Sequence, residues 1–172
     1  MSVAIREIVL LGDPVLREPT REVEAFDDEL KALVDDLFAT MVSAEGAGLA
    51  APQVGVSRRV CVVDVRHVDG DHARVALVNP KVTEASDDRE REPEGCLSIP
   101  GVTEVVDRPA QVVVEGWTPD GEPIRVEAEG LFARALQHEI DHLDGVLFVD
   151  HLTALKRRLL LKRYRKLREK EA

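Results

Sequence analysis

The chain is predicted to be an α+β protein on three observations: a helical apolar pattern near the N-terminus, a middle stretch of strand-like runs, and two helical patterns at the C-terminal end. Strands gathered between helices, rather than alternating with them, point to antiparallel or mixed sheets and away from βαβ units. With 172 residues, 44% of them hydrophobic, the chain is expected to be a single compact domain over 1–172. Its sheets should pack around a central helix, with an amphipathic helix closing the chain. No repeat, linker or low-complexity segment interrupts it.

In chain order, Asp27 to Ser43 carries Leu30, Leu33, Val34, Leu37, Phe38 and Met41 on one helical face. A Gly- and Ala-rich loop, Glu45 to Gly55, follows. Strand-like runs lie at Val60 to Val65, Ala73 to Val82, Thr103 to Asp107, Gln111 to Gly116 and Pro123 to Ala128. Asp69-Gly70 and Asp120-Gly121 are turn signals among them. An acidic loop is expected before Cys96. Residues 131 to 143, placed at about 100° per residue, form a helix with two stripes. His138 and His142 fall with Leu131 and Ala135, Leu136, Ile140 and Leu143 fall opposite, and Arg134, Gln137 and Asp141 make a polar edge.

Aromatic residues make up only 3%, so the core is expected to be Val, Leu, Ile and Ala, with Trp117, Tyr164 and four Phe as large fillers. Apolar runs such as Ile8 to Leu11 and Leu159 to Leu161 are too short to span a membrane, and no membrane or DNA partner is expected. Glu7 and Asp13 bracket the N-terminal apolar run, which is unlike an export signal, so the expected compartment is the cytoplasm. Two cysteines suit it, and a disulfide between them is not expected there. Cys61, in a β-branched run, is expected to be buried and inert.

The net charge of -10 is unevenly spread. From His151 to Ala172 nine basic and two acidic residues give +7, so the remaining 150 residues carry -17. Leu152, Leu155, Leu159, Leu160, Tyr164 and Leu167 recur at helical spacing through this tail. Its first half is expected to pack on the domain. Lys162 to Lys170 either binds RNA phosphates, as on a ribosome, or is a solvated helix end.

Chemistry is concentrated in His138-Glu139-Ile140-Asp141-His142 and Glu94-Gly95-Cys96-Leu97-Ser98. Two histidines at i and i+4 share a helix face and can converge on one ion, with Glu139 beside it as a general base. Cys96 is the candidate third ligand. Three protein ligands leave a position for water, which distinguishes a catalytic site from a closed structural one. The spaced glycines of Glu45 to Gly55 lack the Lys-Ser/Thr of a phosphate loop; they allow close backbone approach to a ligand, and Gln53 offers an amide donor.

Together, Gly46-Ala47-Gly48-Leu49-Ala50-Ala51-Pro52-Gln53, Glu94-Gly95-Cys96-Leu97-Ser98 and His138-Glu139-Ile140-Asp141-His142 resemble the three ordered signatures of the peptide deformylase family. Gly12-Asp13-Pro14-Val15-Leu16-Arg17 is similar to its N-terminal segment, and the likeness spans nearly the whole chain. Ala47 departs from it, standing where the family usually has a bulkier apolar residue. The resemblance implies hydrolysis of the formyl group from N-formylmethionyl ends of newly made proteins. It implies that Cys96, His138 and His142 hold a divalent ion that acidifies a water, with Glu139 taking and returning the proton. Gln53 and the Leu97 backbone N–H stand as oxyanion donors, and Gly46, Ala47, Gly48 and Gly95 flank an extended substrate. Fe(II) is the implied native ion; the ligand set also suits Zn(II), Ni(II) or Co(II). The methionine side chain needs an apolar pocket near Leu131 or Leu136, and Arg108 is a candidate partner for Asp141.

Two other classes fit parts of the pattern. A His-Glu-x-x-His metalloprotease would cleave internal peptide bonds, but its third ligand lies downstream rather than in an upstream cysteine. A non-catalytic RNA-binding protein with a structural metal would have no use for Glu139 or Gln53.

Overall fold

The computed structural model describes residues 2–171. Seven strands and four helices follow in the order α1 (Asp28–Ser43), β1 (Gly48–Ala50), β2 (Val60–Asp64), α2 (Arg66–Asp69), β3 (Arg74–Ala85), β4 (Arg89–Cys96), β5 (Ile99–Pro109), β6 (Gln111–Trp117), β7 (Pro123–Glu129), α3 (Gly130–Leu143) and α4 (Ala154–Glu171). Short 3-10 turns lie at Pro14–Arg17, Ala51–Val54 and Phe148–His151. The architecture is α+β, and all strand pairings of the two sheets are antiparallel.

Five strands form one sheet in the order β1-β2-β3-β6-β7, and β4 pairs with β5 in a separate hairpin. The sheet is covered on both faces. Leu30, Leu33, Val34, Leu37 and Met41 of α1 pack with Leu49, Val60, Val62 and Val78 on one side. Phe132, Leu136, Ile140 and Leu143 of α3 pack with Cys61, Val63, Leu77 and Val114 on the other. Successive β2 residues thus point to opposite, equally dry layers, which is why Val60-Cys61-Val62-Val63 is an unbroken apolar run.

Helix ends are set by named groups. Asp27 caps α1 by accepting from Leu30 N at 3.0 Å. Helix α3 has no side-chain cap of its own; Asp69 at the end of α2 accepts from Phe132 N at 2.7 Å. At its other end Gly145 has φ +76°, and a Cβ there would lie 2.7 Å from the Arg17 carbonyl oxygen. Glycine is therefore required for the chain to turn under the Pro14–Arg17 segment.

Three expectations need correction. The acidic stretch before Cys96 is no loop but strand β4, whose exposed charged residues hide the pattern of a half-buried strand. The three-residue β1 lies inside the Gly- and Ala-rich segment, too short for periodicity to register. The last helix packs through its middle and distal part, where Leu160 and Tyr164 are buried and Leu167 partly so, while Leu155 and Leu159 are each 55% exposed. Among the described residues no helix is long and apolar enough to cross a membrane.

Candidate metal centre and cleft

Three segments converge beside α3. The helix presents His138 and His142 one turn apart, the β4–β5 turn brings Cys96, and the 3-10 turn after β1 brings Gln53. His142 Nε2 lies 3.2 Å from His138 Nε2 and 3.3 Å from Cys96 Sγ. Donors held about 2.0–2.3 Å from a tetrahedral ion are roughly 3.3–3.8 Å apart, so this spacing suits a single metal. A thiolate with two imidazoles is a donor set for a late first-row divalent ion.

The electrostatics agree. Burial resists a proton on His138, yet the Glu139 charge and hydrogen bonding to Cys96 and Glu94 raise its pKa well above the ordinary value. Burial and the His138 charge push His142 well below its ordinary value. His138 Nδ1 donates to Glu94 Oε2 at 2.8 Å, which fixes the ring with Nε2 toward the cluster.

Glu94 is almost fully buried and is saturated by cations. Arg108 grips both its oxygens at 2.7 Å, and Arg134 donates to Oε1 at 3.1 Å. Burial opposes the charge, but these partners and His138 hold the carboxyl far below its usual range. Arg108 also donates to Asp141 Oδ2 at 2.9 Å, so the suggested Arg108–Asp141 pair is present. Arg134 is not on a solvated edge as the helical wheel suggested. It is 7% exposed and is also bound to the Val106 and Glu90 carbonyls.

Glu139 is of a different kind. It is buried, and its Oε1 has no hydrogen-bond partner among the described residues. Burial raises its pKa to about 7, against the pull of a charged His138. A carboxylate poised there can accept or return a proton near neutrality. Gly48 makes room for it, since a Cβ at that position would lie 2.6 Å from Glu139 Oε2. Gln53 is oriented by the Ala50 N–H, which donates to its Oε1 at 3.0 Å. Its Nε2 therefore faces Ser98 Oγ at 3.2 Å and Cys96 Sγ at 3.6 Å.

A cleft of about 460 Å³ opens over this cluster. Gly46, Ala47, Gly48, Gly95 and Leu97 are among the residues that line it. A Cβ at Gly46 would come within 2.7 Å of Leu97 Cδ1, so a larger residue there would have to displace the leucine side chain. Of the two leucines suggested for an apolar pocket, Leu131 lines the cleft, next to Ala135, whereas Leu136 is fully buried against the sheet. The structure thus brings together Cys96, His138, His142, Glu139, Gln53, Leu97 and the four substrate-flanking residues, and leaves Leu136 out. Sequence reasoning gave no role to Glu94, Arg134 or His151. The pairing of Glu94 and Arg134 depends on a strand and a helix meeting in space, for which local sequence has no signal.

The polypeptide deformylase family profile matches residues 5–158. The peptide deformylase of Acidobacterium capsulatum is 47% identical over 163 residues, covering 95% of this chain and 95% of that protein. That of Brucella suis is 46% identical over 169 residues, covering 98% and 97%. Among solved structures, a peptide deformylase from Legionella pneumophila superposes with a TM-score of 0.90 at 41% identity, covering 98% of each chain. The Ehrlichia chaffeensis peptide deformylase in complex with actinonin has a TM-score of 0.88 at 36% identity, over 95% of this chain and 98% of that one.

Proposed function

Because the chain belongs to the polypeptide deformylase family, we infer that it acts through the cleft over Cys96, His138 and His142. It is a metal-dependent hydrolase that removes the formyl group from the N-terminal formylmethionine of newly made proteins and releases formate. The observation that carries the residue roles is the meeting of three ligand atoms with the buried Glu139 carboxylate, whose Oε1 has no partner among the described residues.

Cys96, His138 and His142 hold the ion, which when bound supplies a Lewis acid for acidifying water and polarising the formyl group. Glu139 takes the proton from the attacking water and delivers it to the departing amine. Gln53 Nε2 and the Leu97 N–H donate to the formyl oxygen as it gains charge. Gly46, Ala47, Gly48 and Gly95 bind the substrate's main chain. Strand β1 is the edge of its sheet, so an extended peptide can add beside it through backbone hydrogen bonds that ignore sequence. Leu131 and Ala135 flank the methionine side chain. The single domain, residues 1–172, carries this activity in the cytoplasm, where formylated chains emerge, and the basic face of α4 contacts the ribosome.

The native ion is Fe(II), with Ni(II), Co(II) or Zn(II) able to replace it. Anaerobic iron-loaded protein should release formate from formyl-Met-Ala-Ser and leave internal peptide bonds intact. Its activity should decay in air, and the Ni(II) form should persist. Cleavage of internal bonds, or no formate from metal-loaded protein, would overturn the assignment; iron-loaded activity indifferent to oxygen would overturn the choice of metal.

A further inference from the structure

His151, at the end of the Phe148–His151 turn, lies outside the cleft and 35% of its side chain is exposed. Its Nε2 is 2.8 Å from Asp141 Oδ2, and since a carboxylate only accepts, the ring donates. The same Oδ2 accepts from Arg108 Nη1 at 2.9 Å. Arg108 in turn grips Glu94 through Nε and Nη2, each at 2.7 Å, and Glu94 holds His138 Nδ1 at 2.8 Å. Every link from the surface ring to the metal-facing imidazole is therefore a charge-assisted contact of 2.9 Å or less.

A second contact from the same turn reaches the same ring. Phe148 is fully buried, and its ring lies 6.3 Å from His138, with 23° between the planes. The turn is also held from outside the helix. Asp150 accepts from Leu147 N at 3.0 Å and from Arg17 at 2.6 Å. The turn thus contacts α3 twice, through Phe148 beside the His138 ring and through His151 on Asp141, one residue before His142.

We propose that His151 is a positioning residue for the metal centre, acting through Asp141 and Arg108 to hold Glu94 and hence the His138 ring in its metal-facing orientation. Without the His151 donor, the part-exposed Asp141 carboxylate has only Arg108 to fix it and turns toward water. Arg108 then loses the anchor on its third nitrogen, and the Glu94–His138 contact gains freedom. Groups behind metal-binding histidines act in this way, by limiting the orientations in which the ring nitrogen leaves the ion. The inference rests on the assignment of Cys96, His138 and His142 as metal ligands.

The test is the rate at which Co(II)-loaded full-length protein loses its ion to EDTA, followed by the visible cobalt absorption, with thermal midpoints measured in parallel. His151→Leu should release cobalt faster, by about 10-fold, the lower end of the range for groups behind a ligand. His151→Gln, which retains an N–H donor, should recover most of the loss, and both midpoints should stay near wild type. In an Asp141→Ala background, which removes the acceptor, His151→Leu should add nothing, because the two act in series. Equal release by wild type and His151→Leu would overturn the proposal alone, as would additive effects in the double variant. Failure of the wild type to bind cobalt, with no difference from Cys96→Ser, would overturn the ligand assignment and the proposal together.

Discussion

Glu139 and Glu94 are two buried carboxylates on neighbouring elements, and their surroundings assign them opposite roles. Glu94 meets two guanidiniums and an imidazole and stays charged, which suits a structural anchor. Glu139 has one oxygen with no partner and a pKa raised to about 7 by burial, which suits a group that must change protonation. The two cysteines divide in the same manner. Cys61 is fully buried in β2, and burial pushes its thiol far up, so it should resist iodoacetamide in the native protein at pH 8. Cys96 should be shielded in metal-loaded protein and become alkylated once a chelator strips the ion. Mass mapping of the labelled peptides checks this, and labelling at Cys61 before unfolding would contradict it. Gln53→Ala should lower kcat by about 10²–10³ while leaving metal content unchanged, because the side chain donates to developing charge and holds no ion. Kinetics with metal analysis on the same preparation decides it. That these residues meet was legible because each motif is local: a thiol beside a glycine, two histidines a helical turn apart, a carboxylate between them.

Pairings between distant elements could not be read so directly. Residues 4–11 form no strand or helix, yet they tie α1 to both sides of the cleft. Ala4 N and Arg6 Nε donate to Asp36 at 2.8 and 2.9 Å. Val9 N reaches the Gln53 carbonyl at 2.8 Å, and Leu11 N the Ser98 carbonyl at 2.9 Å. The Ala4 amide, against some burial and with help from Arg6, holds the Asp36 carboxyl below its usual range. A folded-state pKa below the unfolded one stabilises above the ordinary carboxylate range, and that contribution is lost as pH falls through the folded value. Asp36→Ala should therefore lower the thermal midpoint at pH 7 by about 2–8 °C, from roughly 1–2 kcal/mol at 2–4 °C per kcal/mol. The gap to wild type should narrow steadily below pH 4. A gap that is constant with pH would mean that Asp36 contributes packing and not charge. Strand β4 was hidden for a related reason. Its exposed Arg89-Glu90-Arg91-Glu92 is stabilised by pairing with β5, which only the folded hairpin supplies.

Across the molecule, the fold packs the helix of His138 and His142 against the five-stranded sheet and places β1 at that sheet's edge. The α+β class was legible because the strand-like runs are grouped between helical patterns and do not alternate with them, an order the fold keeps. How α4 sits was not, because its packed face and its exposed Leu155 and Leu159 look alike in a helical pattern. Leu167 lies 3.1 Å from where a Cβ on Gly101 would be, and Gly101 borders the cleft, so deleting the tail would disturb more than charge. Reversing Lys162, Arg163 and Lys166 to Glu is the cleaner change, since all three are exposed and form no ion pair among the described residues. It should weaken salt-sensitive ribosome binding while leaving turnover of a short formylated peptide within about twofold. Salt-independent binding, or none in the wild type, would remove the docking role. Whether one metal and one buried base share this cleft is decided by anaerobic formate release from formyl-Met-Ala-Ser by wild type and Glu139→Gln, with metal content measured on both. The wild type should release formate, and the variant should lose release by about 10² or more while still holding a full complement of metal. Undiminished release by metal-loaded Glu139→Gln would contradict this.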